Sequence, residues 1–236
     1  MYYLRSMQIG VMYGFIPLLP MMALFHLVAI KQDRKNNIKA AIPHTLAVYI
    51  FCFFPIFAIS VTGVRNIFHF DIDTTINIIP FADLLTNFHQ YMLNIMLFVP
   101  IGFFLPVLWR RFEKRRFTIV YGFLLSLSIE LVQLLGHRIT DIDDLLMNTT
   151  GTIIGYYLSL LVKRILPKVS VFAIDSRNFW KWEPYFCFCF AWLSMLVFHP
   201  IIMILISDKA LDNGDKIWYN YLGDRNENTQ HKPRRI

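Results

Sequence analysis

The chain has 236 residues, 56% of them hydrophobic and only 17% charged, with a mean hydropathy of +0.47. Soluble domains carry about 25% charged residues, so a soluble globular protein is excluded. The net charge of +7 does not imply a nucleic-acid partner, because the basic residues punctuate apolar stretches instead of gathering on one polar module. The composition is that of an integral membrane protein.

Stretches apolar enough to cross a hydrocarbon core, which takes about 20 helical residues, run over 7–30, 41–62, 90–109, 117–135, 145–162 and 185–207. They predict an all-α fold, a polytopic membrane helix bundle of six transmembrane helices. Span one is preceded by Arg5 and lacks an A-x-A site, so it reads as a retained helix rather than a removed signal; Pro17 and Pro20 are candidate kinks. Cys52 in span two and Cys187 and Cys189 in span six read as small buried hydrophobes, with neither a disulfide framework nor a zinc set. Trp180, Trp182 and Tyr185 stand where span six begins, as amphipathic rings do at a membrane interface. His26, His44, His69, His89 and His199 are scattered and read as interfacial or satisfied polar residues. The tail from about 208 is polar, with WYNY at 218–221 suited to the headgroup layer.

Orientation follows from lysine and arginine. Loops 31–40, 110–116 and 163–183 hold 4, 5 and 5 of them, whereas the N-terminus, 63–89 and 136–144 hold one each, Arg5, Arg65 and Arg138. The positive-inside rule makes the first set cytoplasmic and both termini external, although six more basic residues in the tail pull the other way.

Span four carries a carboxylate in an apolar run, SIELVQLLGHR at 128–138. Ionisable groups at such depth face a partner or a cavity. Gly122, Ser126, Glu130, Gln133 and His137 recur at intervals of 4, 4, 3 and 4 and so share one helix face. Glu130 lies about 9 Å below the outer end of the span at 1.5 Å per residue. Span five opens with DIDDLLMNTTGTIIG, in which Asp144, Asn148, Gly151 and Gly155 form a second stripe, and Gly151/Gly155 is a GxxxG pair suited to close helix packing. Span three offers Asn94 near its outer end and then Pro100, Gly102 and Pro106. Glu130, Gln133, Asn94 and Asn148 are thus expected to line a cup open to the outer surface, beside His137, Arg138, Asp141, Asp143 and Asp144, with Arg138 as the nearest cation. A hydrogen-bonded network that merely holds helices in register is the competing reading. His137 and Asp141 have i,i+4 spacing, but nothing completes a coordination set, so no metal and no cofactor is expected.

The segments NIIPF (77–81), NIMLFVPIGFFLP (94–106), SLSIELVQ (126–133) and GHRITDIDDLLMNTTGTIIGY (136–156) together resemble the VanZ-like family of bacterial multi-span membrane proteins. The likeness covers residues 42–163 and leaves span one and everything from 164 outside. It divides the chain into a first helix with its basic loop (1–40), a VanZ-like core (41–163), a cytoplasmic loop with the sixth helix (164–207) and a polar tail (208–236). It implies a place in the bacterial cell membrane and an effect on susceptibility to teicoplanin, and it puts family positions at Asn77, Pro80, Asn94, Pro100, Gly102, Glu130, Gln133, Arg138, Asp141, Asp144, Asn148, Gly151 and Gly155. Three roles stay open. In the first the cup holds a membrane lipid or lipid-linked envelope precursor, or a lipoglycopeptide; in the second Glu130 is a general acid/base on a cell-wall lipid precursor with Arg138 holding its phosphate or carboxylate; in the third the chain is a transporter. No catalytic residue and no oligomeric state is assigned.

Overall fold

The computed structural model describes residues 2–32, 38–62, 76–77, 80–81, 87–134, 140–174 and 178–202. Six helical segments are long and apolar enough to cross a membrane: Val11–Lys31, Ile42–Val61, Phe88–Leu108, Arg115–Leu134, Ile142–Ile165 and Trp180–Ile202. The protein is a multi-pass α-helical membrane protein. Its helices are α1 (Tyr2–Gln32), α2 (Ile38–Val61), α3 (Phe88–Leu108), α4 (Arg115–Leu134), α5 (Ile142–Ile165) and α6 (Glu183–Leu193). The last continues as a π-helical turn over Ser194–Phe198. Both prolines of α1 sit inside one continuous helix. Between α2 and α3 the two-residue β1 (Ile76–Asn77) pairs in parallel with β2 (Thr140–Asp141), which immediately precedes α5. We call this the bridged end of the bundle and the end holding Arg110–Arg116 the basic end.

One hydrophobic core joins Leu18 and Met22 of α1, Phe51 and Ile56 of α2, Phe98 and Leu105 of α3, Leu125 and Ile129 of α4, and Ala191 and Met195 at α6. Helix α5 contributes no residue to it among those described. Its buried face consists of Asp143, Asn148, Gly151, Thr152, Gly155, Tyr156 and Ser159, while Leu146, Ile154, Leu158 and Leu161 point outward. That arrangement suits lipid, where apolar side chains gain little by turning inward and helices associate through small residues and hydrogen bonds.

The α3–α5 seam shows why glycine is needed. A Cβ on Gly151 would overlap the carbonyl oxygen of Ile95, one on Gly155 the carbonyl of Val99, and one on Gly102 the carbonyl of Thr152. Three glycines therefore bring two backbones into contact. On its other side α5 meets α4 the same way, since a Cβ on Gly122 would strike the Thr152 side chain.

The helix ends follow from local chemistry. Asp141 caps α5, its side chain accepting from the Asp143 amide at 3.0 Å, and Asp143 and Asp144 in the first turn and Lys163 and Arg164 in the last complement the helix dipole. Lys163 also closes the end of α3, donating to the Pro106 carbonyl at 2.7 Å and pairing with Glu113 at 2.6 Å. Beyond α5 the chain folds back, so that Ile174 donates to the Leu108 carbonyl and accepts from the Arg110 amide.

One expectation is refined and one corrected. Trp180 begins the sixth span, but its ring is buried between histidine rings, whereas Trp182 and Tyr185 are exposed. Cys189 is exposed, unlike Cys52 and Cys187; all three thiols are free. The reason for both is helix phase: residues 180, 183 and 187 share the inward face of this segment, and 182, 185 and 189 turn away.

Gly155→Val should weaken folding in detergent by about 1–3 kcal/mol, the usual cost of overpacking, and lower the thermal midpoint. Leu161→Ala, outward on the same helix, should stay within about 0.5 kcal/mol in the same melting experiment.

Candidate functional site

At the bridged end, the face of α4 carrying Ser126, Glu130 and Gln133 is buried, as the interval pattern predicts. Glu130 is 4% exposed. Asn148 of α5 is 2% exposed and donates its Nδ2 to Ser126 Oγ at 3.0 Å, which places the two stripes against each other. Gln133 donates to the Thr62 carbonyl at the end of α2, 3.0 Å away. Asn94 of α3 donates to Asp144 Oδ1 at 2.5 Å. Residues from α3, α4 and α5 thus meet at this end of the bundle. Asn77 enters through its backbone, in register with Asp141 across the β1–β2 bridge. Arg138 and His137 lie outside the described residues.

The strongest hold in this region belongs to Asp143, which the sequence reading mentions only as a loop carboxylate. It is buried, accepts the Phe81 amide at 3.0 and 2.9 Å through its two oxygens, and accepts the Tyr91 hydroxyl at 2.5 Å. Phe81 has a left-handed backbone, φ 60°, unusual for a bulky side chain; its ring is exposed and stacks near Tyr91 at 6.4 Å. The carboxylate compensates the strained turn by binding its amide. The NIIPF segment is therefore fastened twice to the start of α5, by the bridge and by Asp143. Asp141, Asp143 and Asp144 each hold structure here: a cap, a loop and a neighbouring helix.

Asn148 has a different character. Its Oδ1 is buried with no hydrogen-bond partner among the described residues. Buried carbonyl oxygens seldom go unpaired. It lies at the meeting of α4 and α5, and Glu130 follows its partner Ser126 by one helical turn, about 5.4 Å. Among the described residues no group of three His, Cys, Asp or Glu side chains is placed to hold a metal ion.

A second polar cluster, which the sequence reading does not assemble, sits at the basic end. Glu183, the first residue of α6, is fully buried and meets His26 of α1, His44 of α2 and the Trp109 indole after α3, at 2.7, 2.7 and 2.8 Å. His26 and His44 are therefore not scattered, since one carboxyl group gathers them. The sequence separations, 157 and 139 positions, carry no periodic signal. The one hint is an acid next to Pro184 at the head of an apolar run.

The bundle, with two buried polar clusters at its ends and a glycine-built α3–α5 seam, defines a polytopic helical membrane protein. The family model described as VanZ/LLP1 matches residues 15–163, and the chain belongs to that family. The match starts inside α1, so it reaches further towards the N-terminus than residues 42–163, and it ends before Glu183. No curated protein and no solved structure matches the chain.

Asp143→Ala would leave the Phe81 amide and the Tyr91 hydroxyl without their acceptor. The expected cost is about 1–3 kcal/mol, with faster hydrogen exchange at the Phe81 amide. Asp144→Ala, which releases Asn94, should leave that amide protected.

Proposed function

We propose that the chain acts in a bacterial cell membrane, lowering susceptibility to teicoplanin-type lipoglycopeptides by binding an envelope lipid, a lipid-linked precursor or a lipidated ligand in a polar cup at the bridged end. The family supplies the biological association. The observation that carries the binding reading is the Asn148 side chain, with one end held by Ser126 and a buried oxygen left over. An acceptor of this kind, one turn from a buried carboxylate, suits a headgroup that presents donors: a hydroxyl, an amide N–H or an ammonium.

The surrounding geometry supports binding at a fixed rather than a fluid site. Asp141, Asp143 and Asp144 are already committed to the backbone and to neighbouring side chains, so the rim is built before any ligand arrives, which reduces the ordering cost of binding. The exposed Phe81 ring, held beside Tyr91, stands at that rim as an apolar surface for an acyl chain or an aglycone. By positive-inside counting the bridged end faces outward, where a lipoglycopeptide meets its target.

The test is the teicoplanin susceptibility of a host expressing the chain. Asn148→Ala and Glu130→Gln, present in the membrane at the level of the native protein, should bring the inhibitory concentration down to that of cells without it. Leu161→Ala should retain full effect. Unchanged protection in both cup variants would remove the cup from the function.

A further inference from the structure

The cluster at the basic end has a proton count fixed by its geometry. His44 Nδ1 lies 2.7 Å from the Phe172 carbonyl oxygen. A carbonyl only accepts, so Nδ1 carries a hydrogen. His44 Nε2 lies 2.7 Å from Glu183 Oε2, and His26 Nε2 lies 2.7 Å from Glu183 Oε1. Each of these contacts joins two atoms that both have lone pairs and therefore needs a hydrogen between them. Three contacts require three protons shared by two imidazoles and one carboxyl group.

That total makes the cluster electrically neutral. The middle proton sits on His44, giving an imidazolium beside a carboxylate, or on Glu183, giving two neutral groups. The Trp109 N–H donates to the same Oε2 at 2.8 Å and favours the ionised carboxylate. In either arrangement His26 is the Nε2–H tautomer with a bare Nδ1. His26 Nδ1 is indeed buried with no hydrogen-bond partner among the described residues, a position in which a bare nitrogen is cheaper than an unsatisfied N–H. Among the described residues, these contacts bring no further charged side chain to the cluster. His26 is ringed by Phe25, Tyr49 and Trp180, and His44 by Trp109 and Trp180. The other titratable side chains nearby are Tyr49 and Cys52 of α2, Cys187 of α6, and Tyr121 of α4, which donates to the Pro184 carbonyl; phenols and thiols ordinarily keep their protons below about pH 8.

We infer that His26, His44 and Glu183 form a proton-binding site that holds three protons as a neutral unit and makes closure of the basic end depend on taking up one of them. Helices α1, α2 and α6, the end of α3 and the Phe172 segment all converge on it, so the ligand that completes this junction is a proton. In the unfolded chain at about pH 7.5 the two histidines are neutral and the glutamate ionised, which leaves two protons. The folded cluster therefore binds one more than the unfolded chain, and stability falls as pH rises. Below about pH 6.5 the unfolded histidines charge and the difference reverses, so the cluster's contribution peaks near that value.

The experiment is thermal and denaturant unfolding of the full chain in nanodiscs, native against Glu183→Gln, between about pH 7 and 8. In the native protein the folded-to-unfolded ratio, relative to the variant, should fall close to tenfold per pH unit, the slope of one proton. Parallel profiles would overturn the inference. Nitrogen-15 spectra of the histidine-labelled native protein give a second reading that does not depend on the variant folding. They should show His26 protonated at Nε2 alone and His44 protonated at Nδ1; a bare His44 Nδ1 or an Nδ1–H tautomer of His26 would overturn the proposal equally.

Discussion

Backbone contact between α3 and α5 is the constraint from which the rest of the bundle follows. Gly102, Gly151 and Gly155 remove the side chains that would keep the Ile95, Val99 and Thr152 carbonyls from the facing helix. With the axes this close, Asn94 reaches Asp144 near one end of the seam and Lys163 reaches the Pro106 carbonyl near the other. Helix α5 can then present Asn148 and Thr152 to α4, where Ser126 and Gly122 receive them. A side chain at any of the three glycines would separate the helices by more than these short polar reaches can span.

The seam also explains why α5 lies outside the hydrophobic core. In water, a helix with leucines outside and threonine, asparagine and glycine inside would be inverted. In lipid the outward leucines meet acyl chains of equal polarity, and the inward groups find hydrogen bonds that hydrocarbon cannot offer. Thr149, Thr150 and Thr152 each return a hydroxyl bond to a carbonyl one turn back, so even the polar residues between the stripes satisfy themselves within the helix.

Periodicity made most of this legible. Interval counting over Gly122–Gln133 and Asn148–Gly155 found the faces that are in fact buried, and hydropathy found the six spans, with α1 to α5 each starting earlier than the apolar stretch. The GxxxG pair served packing, as its spacing alone advises. Interval counting failed for Asp143, because a capped first turn buries the residue beside the stripe rather than the one on it: the Asp141 cap fixes the turn, and the NIIPF amide claims Asp143. It failed more completely for Glu183. That residue sits at the junction of a basic loop and a span, and its partners lie in the first two helices, so only the tertiary fold brings a buried acid to His26 and His44.

The family match ends at residue 163, and the acid that satisfies His26 and His44 comes twenty positions later. Both histidines are inside the matched region, at 4% and 1% exposure, and a buried imidazole without a partner is costly. The return segment and α6 are therefore not an appendage to the five-helix unit. Phe172 supplies a carbonyl to His44, Ile174 binds the end of α3, Glu183 closes the cluster, and Ser194 donates to the Gly14 carbonyl within α1. The first three contacts satisfy polar groups of the matched region, and the last ties α6 to α1 one residue before that region begins. In this chain the fold is completed at its basic end by sequence beyond the matched region, whereas Asn94, Ser126, Glu130, Gln133, Asp144 and Asn148 at the bridged end all lie within it.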